Sequence, residues 1–198
     1  MEPFEQYEHA GCVISFHYDE YAGDPRREYD HNGVMRCKHG RYELGDVQAS
    51  ADTWEELLEE ARDDGALEPI LPLYLIDHSG LAMRTGPFHE DPGGWDSGRV
   101  GVIYATRETL LAGGHDPENL PSSEQLAEWL TAEVAEYSAY LEGDVFCWTV
   151  ERGGEIIESC CGYYDYCANE DYVKRECEAI AEREDKSSQQ LAAYTYAH

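Results

Sequence analysis

Two short segments carry side chains of the acid–base type. Asp77 and His78 precede a tight turn, and Asp96 and Ser97 lie in a glycine-rich loop. If the loop folds over the turn, two carboxylates and an imidazole converge, which suits general acid–base catalysis or a divalent cation. The alternative is local, because Asp and Ser side chains often satisfy backbone N–H groups in turns, while Trp95 fills the core beneath. We expect the local role and keep the catalytic one as the alternative.

The cysteines are the second group with possible chemistry. There are seven, an odd number with uneven spacing, which favours reduced thiols over a disulfide framework. Cys37 and His39 form a Cys-x-His pair, and Cys160 and Cys167 lie near one end of a predicted hairpin. These four are weak metal candidates, because a structural zinc needs four N or S ligands and neither pair has the two-residue gap of a zinc knuckle. We expect buried apolar cysteines, no metal and no cofactor.

A carboxylate-rich helix is the first candidate for binding a partner. It carries Glu55, Glu56, Glu59 and Glu60, which project from the helix surface. At suitable spacing such carboxylates imitate phosphates and occupy the basic groove of a nucleic-acid-binding protein. The alternative is a solvated face in a salt-adapted protein. Salt separates the two, since binding by a mimic should weaken steeply as salt rises.

A tyrosine cluster is the second candidate for partner binding. Tyr163, Tyr164 and Tyr166 lie close together near the C-terminal hairpin. Tyr-rich patches suit protein interfaces, because each ring buries apolar area and keeps a polar tip. The alternative is a tyrosine-rich edge of the core. Beside so many carboxylates, an exposed patch of this kind would suit a partner rich in Arg.

The charge of the whole chain limits what it can bind. Asp and Glu number 42 against 14 Lys and Arg, a net charge of −28 in 198 residues. Such a surface repels DNA, RNA and anionic membranes, so we expect no direct nucleic acid and no membrane. Adaptation to high salt, a basic partner or simple solubility would each explain it. The acidic N-terminus lacks the features of a signal peptide, and no window is long and apolar enough to span a bilayer, so we expect a cytoplasmic protein.

Residue patterns predict the elements that position these groups. A helix is expected at about 53–64, capped by Asp52 with Glu55 at the capping-box position, and a longer one after Pro121, with Ser122 and Gln125 as capping box. Gly153-Gly154 predicts a hairpin between strands at 145–150 and 155–161. Further strands are expected at 12–18, 34–37, 70–76, 81–85 and 100–106, and a last helix from about residue 169.

Hairpins dominate this order of elements, which determines the expected fold class. We expect an α+β fold, mainly one antiparallel sheet with two or three helices packed on one face. The expected organisation is a single domain over residues 1–184, followed by a polar, flexible tail over residues 185–198.

Several segments resemble a family of hypothetical proteins carried by bacteriophages, archaeal viruses and prophages. The resemblance covers roughly residues 24–164, and its most specific part is the WDSG segment at 95–98. The segments that carry it are REYDHNGVM (27–35), YLIDHSGL (74–81), GPF (86–88), WDSGRVGVIY (95–104), GDVF (143–146) and ESCCGYY (158–164). The resemblance implies a viral accessory protein and transfers no catalytic residues.

These observations favour a protein that acts by binding. The expected function is that of a viral accessory protein that acts by protein binding, as an acidic, nucleic-acid-mimicking inhibitor of a basic host or viral protein in the host cytoplasm. The alternative is a small hydrolase or nucleotide-processing enzyme that uses Asp77, His78 and Asp96. No nucleophile elbow, P-loop, dinucleotide-binding fingerprint, HExxH or EF-hand motif is present. A homodimer is possible if it buries uncharged surface, because facing like charges are costly.

Overall fold

The computed structural model describes residues 2–196, with side chains through residue 189. The chain forms two compact units, where the sequence predicts a single domain over residues 1–184. Unit 1 contains the chain up to Ala22 and from Gly143 onward, and unit 2 is the continuous segment Gly23–Glu142. Each unit has its own sheet, so the strands are divided between two sheets where the sequence predicts one.

Strands and helices occur in similar proportion along the described residues. In chain order they are β1 (Glu5–His9), β2 (Cys12–Tyr18), α1 (Pro25–Glu28), β3 (Gly33–Cys37), β4 (Val47–Gln48), α2 (Trp54–Asp63), β5 (Ala66–Asp77), β6 (Leu81–Arg84), β7 (Ser97–Thr106), α3 (Arg107–Ala112), α4 (Ser123–Glu142), β8 (Val145–Arg152), β9 (Glu155–Tyr164) and α5 (Tyr166–Tyr196). The predicted α+β class is confirmed.

Unit 1 is an antiparallel sheet covered on one face by α5. Its strand order is β1-β2-β8-β9. Alternate residues such as Phe16 and Phe146 are buried against Val173 and Cys177 of α5, as the period-2 pattern of a half-buried strand requires. At one end of the β2–β8 pair, the backbone N–H of Asp19 donates to the carbonyl of Val145 at 2.7 Å.

Unit 2 is a five-stranded sheet with helices on both faces. Its strand order is β4-β3-β7-β5-β6, in which only the short β3–β4 pair is parallel. On the central strand β7, Ile103 and Ala105 belong to the core that α4 covers, whereas Val102 and Tyr104 pack with residues of α2. The sequence predicts helices on one face of the sheet. Unit 2 differs because its central strand is apolar on both sides, so a helix must pack on each face.

A buried ion pair joins three segments of unit 2. The side chain of Arg26 is 1% exposed, and its guanidinium donates to the carboxylate of Asp46 (3.0 and 2.5 Å) and to Glu133 (2.9 Å). It also donates to the carbonyl of Gly33 at 2.6 Å. The Glu133 carboxylate in turn accepts from the backbone N–H of Asn32 at 2.9 Å. These bonds tie the segment before β3 to α4.

Most predicted elements lie where the sequence places them, but two helix ends differ. Helix α2 is capped one residue later than predicted, with Thr53 as N-cap and Glu56 completing the capping box. The predicted cap of α4 is confirmed, because the Gln125 N–H donates to the Ser122 hydroxyl at 3.3 Å. Helix α5 continues past residue 185, where the sequence predicts the start of a tail. The flexibility of that tail stays a prediction.

Candidate functional site

Asp91 organises the glycine-rich loop of unit 2. Its carboxylate accepts from the backbone N–H groups of Trp95 (3.2 Å), Asp96 (2.9 Å) and Ser97 (2.8 Å) and from the Ser97 hydroxyl (2.9 Å). Partial burial opposes ionisation, but the hydrogen bonds outweigh it and hold the pKa of Asp91 below its ordinary value. The turn-capping role expected for Asp96 and Ser97 therefore belongs to Asp91, which the sequence pattern does not distinguish from other loop carboxylates.

The loop does fold over the turn after β5, but the predicted catalytic residues separate into different pairs. Asp77 N–H donates to the carbonyl of Asp96 at 2.8 Å, and His78 Nδ1 lies 3.0 Å from Asp96 Oδ2. The Asp77 carboxylate instead accepts from Arg41 (2.9 Å) and Tyr42 (3.1 Å). The hydrogen bond from Arg41, followed by that from Tyr42, lowers the pKa of Asp77. An ionised Asp77 is a poor proton donor at neutral pH.

Trp95 lies on the surface, where the sequence predicts a side chain that fills the core. The residue is 89% exposed. The indole rests against the backbone of Gly93, because a Cβ placed on Gly93 would come within 2.4 Å of Trp95 Nε1. An exposed tryptophan held in this way is available to a partner.

Two adjoining cavities of about 320 and 350 Å³ form a groove beside this loop and the start of α2. They share Lys38, Arg99 and Val100. We call this surface the α2 groove. Its lining residues are Lys38, His39, Gly40, Ala51, Asp52, Thr53, Trp54, Leu57, Leu75, Asp77, Trp95, Asp96, Ser97, Gly98, Arg99, Val100 and Gly101.

Two cations, Lys38 and Arg99, line the α2 groove in an otherwise acidic chain. The Arg99 guanidinium carbon lies 3.9 Å from the centre of the Trp54 ring, and Arg99 donates to the Tyr74 hydroxyl at 2.9 Å. Arg99 makes no ion pair with another described residue, whereas Lys38 pairs with Asp52 at 2.5 Å. Aromatic contact of this kind stabilises a guanidinium without neutralising it.

The four predicted carboxylates of α2 fall into two classes. Glu56 completes the capping box by accepting from the N–H groups of Asp52 and Thr53, and Glu60 lies 3.5 Å from Arg36. The carboxylates of Glu55 and Glu59 are exposed and contact no partner among the described residues. Half of the predicted acidic surface is therefore used inside the fold, and half is available.

The predicted tyrosine patch in unit 1 is partly built into its core. Tyr166 packs edge-on against Phe146 with the ring centres 5.1 Å apart, and its hydroxyl donates to the Glu5 carboxylate. Tyr163 also packs on Phe146, at 5.5 Å, and Tyr164 is half-buried. This placement agrees with the alternative of a tyrosine-rich core edge, and partner binding by these residues stays a prediction.

The four weak metal candidates do not form a common site among the described residues. Cys37 is buried, and burial raises the pKa of its thiol to about 12. The His39 ring stacks on Tyr42 with the centres 5.0 Å apart. Cys160 and Cys167 are exposed free thiols.

The structure places a different set of possible ligands together. Within residues 2–196, the group of three whose ligand atoms lie within 4.8 Å of one another is Asp19, Cys147 and Cys161. Cys147 and Cys161 form a disulfide across the β8–β9 hairpin, which corrects the expectation of reduced thiols throughout. The hairpin register brings these two cysteines face to face, which the uneven spacing of the cysteines did not reveal.

Comparisons with family models, with curated proteins and with solved structures found no match for this chain. Within residues 2–196, every helix is too short or too polar to cross a bilayer.

Proposed function

We propose that this protein is a viral accessory factor that binds a basic, nucleic-acid-handling protein through the acidic side of α2 and the adjoining α2 groove. The observation that carries the proposal is the pair of exposed carboxylates at Glu55 and Glu59, which have no partner within the described fold. The resemblance to proteins of phages, archaeal viruses and prophages supports the viral setting.

The spacing of these carboxylates suits a row of cations. Residues four apart on a helix lie on one side of it, displaced by about 6 Å along the axis. Glu55, Glu59 and Asp63 follow this spacing, and all three are exposed and unpaired among the described residues. A basic partner would form ion pairs with these carboxylates without breaking any ion pair within the described part of this chain.

The α2 groove supplies the contacts that hold a complex together. Rim charges mainly raise the association rate and select partners, whereas Trp, Tyr and Arg at the centre supply most of the affinity. Trp95, Trp54 and Arg99 line the groove next to the start of α2. An arginine of the partner could stack on the exposed face of Trp95 while its neighbours meet Glu55 and Glu59.

The experiment is an affinity pulldown from nuclease-treated host lysate, eluted in rising salt and identified by mass spectrometry. The test variant is Glu55→Lys with Glu59→Lys. The matched control is Glu124→Lys with Glu128→Lys, because these residues have the same spacing at the start of α4 and are also exposed and unpaired.

The proposal expects one nucleic-acid-binding protein to be retained by the wild type and the α4 control and lost with the α2 variant. It also expects release over a narrow salt range, as for a true nucleic acid. Equal retention by all three proteins, or no retained protein, would refute it.

A hydrolase or nucleotide-processing activity is the second candidate, favoured by the contact between His78 and Asp96 beside a cavity. The Ser97 hydroxyl donates to Asp91, but the hydrogen bonds that this carboxylate accepts hold its pKa below the ordinary value, so Asp91 is a poor general base for Ser97. The test is release of phosphate from a panel of nucleotides by the wild type and by His78→Gln. Activity that the variant retains, or no activity in either protein, would remove this candidate.

A further inference from the structure

We propose that, once the Cys147–Cys161 disulfide is reduced, Cys147, Cys161 and Asp19 bind one Zn²⁺ ion on the face of the unit 1 sheet opposite α5. The three residues come from β8, β9 and the segment after β2, and their ligand atoms lie within 4.8 Å of one another. The site shares no residue with the α2 groove, so it stands apart from the proposed function.

The strand geometry already fits a metal. The Cα atoms of Cys147 and Cys161 are 4.0 Å apart on neighbouring strands. Two sulfurs on one tetrahedral zinc are about 3.8 Å apart, given a Zn–S distance of about 2.3 Å. Side-chain rotation is enough to reach this separation once the sulfurs are no longer bonded. Asp19 follows the last residue of β2, and its N–H bond to the Val145 carbonyl fixes it beside the start of β8.

The ligand types select the metal. Two thiolates exclude the hard cations Mg²⁺ and Ca²⁺, and a set of two sulfurs with one carboxylate oxygen suits Zn²⁺. Three protein ligands leave the fourth tetrahedral position to a water molecule. The net charge of −28 also raises the local concentration of any cation.

A neighbouring histidine gives independent support. His17 is the register partner of Cys147 in the β2–β8 pair, so the two side chains lie on the same face of the sheet. His17 Nδ1 is buried and makes no hydrogen bond. Such an atom is costly to leave unsatisfied, and a metal-bound water would provide the partner that it lacks.

The disulfide and the zinc site are two states of the same pair of cysteines. A dithiol reductant supplies two electrons and two protons, the Sγ–Sγ bond breaks, two thiols form, and the dithiol becomes a disulfide. Zn²⁺ then displaces the two thiol protons and binds the thiolates and the Asp19 carboxylate. Cys161 is exposed, so a reductant can reach the bond.

The test uses Co²⁺ as a spectroscopic probe and Zn²⁺ as competitor. The full chain is reduced with a dithiol, freed of it without air, and titrated with Co²⁺. We expect one Co²⁺ per chain, with thiolate-to-cobalt charge-transfer absorption and the visible bands of tetrahedral cobalt, all removed by Zn²⁺. The oxidised protein should show none of these bands.

Variants assign the ligands. Cys147→Ser and Cys161→Ser should abolish the charge-transfer absorption of a thiolate pair, and Asp19→Asn should weaken Co²⁺ binding at least tenfold. The matched control, Cys160→Ser with Cys167→Ser, should bind as the wild type does. Asp19→Asn keeps both thiols and the disulfide, so it tests the site even if a cysteine variant fails to fold. No cobalt bands in the reduced wild type, their loss in the control, or unchanged binding by Asp19→Asn would overturn the proposal.

Discussion

At the scale of single residues, Arg26 lets us compare a buried charge with an exposed neighbour. Arg26→Met leaves the carboxylates of Asp46 and Glu133 without their cation, and breaking a buried pair in this way costs about 3–5 kcal/mol. Arg27 pairs with Asp24 on the surface, so Arg27→Met should cost less than about 1 kcal/mol. Urea unfolding measures the loss in the free energy of unfolding for both variants. Equal small losses would show that the buried ion pair contributes little to stability.

Tyr104 makes the stability of unit 2 depend on alkaline pH. Burial, followed by its hydrogen bond to Asp64, raises the pKa of Tyr104 to about 12, while an unfolded tyrosine ionises near pH ~10. The folded state therefore holds this proton more tightly. Its contribution to stability is complete below pH ~10 and is lost as the pH rises through about 12.

The check on Tyr104 is the free energy of unfolding measured across this alkaline range. Tyr104→Phe removes the ionising group, so the fall in stability should become shallower. Tyr21→Phe is the control, because Tyr21 is exposed and its loss should leave the slope unchanged. The same slope in Tyr104→Phe as in the wild type would contradict the prediction.

The sequence leaves two arrangements open for the loop beside the α2 groove, and it does not identify the partners of the residues there. From the sequence, Asp77, His78 and Asp96 come together only if the glycine-rich loop folds over the turn, and the expected role of these residues is local; in the structure the loop does close over the turn. The sequence does not reveal Asp91, because any carboxylate in a loop of this length could cap the turn. The sequence also predicts the wrong place for Trp95, because an aromatic side chain in a loop can pack inward or lie on a glycine, and the residue pattern does not distinguish the two.

At the scale of elements, the first turn of α2 contains one glutamate that stabilises the helix and one that is available to a partner. Glu56→Ala removes two hydrogen bonds to backbone N–H groups and should cost about 1 kcal/mol, the usual value of a helix cap. Glu55→Ala should stay within about 0.5 kcal/mol, because its carboxylate has no partner among the described residues. Thermal unfolding measures the difference. A loss in Glu55→Ala as large as in Glu56→Ala would mean that the capping box is not what stabilises this end.

The β8–β9 hairpin shows why the cysteine pairing was not predicted. The Gly153-Gly154 turn was expected and found, with Arg152 opposite Glu155. Continued without a break, that register places Cys147 opposite Cys160. The irregularity between Val150 and Glu151 shifts the register by one residue, so that Cys147 bonds to Cys161 instead. A single bulge exchanges the faces of a strand, and the sequence gives no clear signal for where a bulge occurs.

At the scale of the whole molecule, the charge predicts a response to salt. A net charge of −28 on a chain of 198 residues destabilises the folded state through self-repulsion. Raising the ionic strength from about 0.01 to 0.15 M shortens the Debye length from about 30 to 8 Å, so the melting temperature should rise over this range. Sucrose at matched osmolality is the control for non-electrostatic effects. A fall in melting temperature with salt would mean that attractive pairs outweigh the repulsion.

The path of the chain through unit 1 determines the order in which the protein can fold as it is made. The segment between Asp19 and Val145, two residues joined by a backbone hydrogen bond, contains the whole of unit 2. On the ribosome, the β1–β2 hairpin emerges before unit 2, and a two-stranded hairpin alone is only marginally stable. Unit 2 is then synthesised in full before β8 appears. The nascent chain therefore passes through a stage in which unit 2 can fold, while β1 and β2 cannot complete their sheet until β8 and β9 have been synthesised.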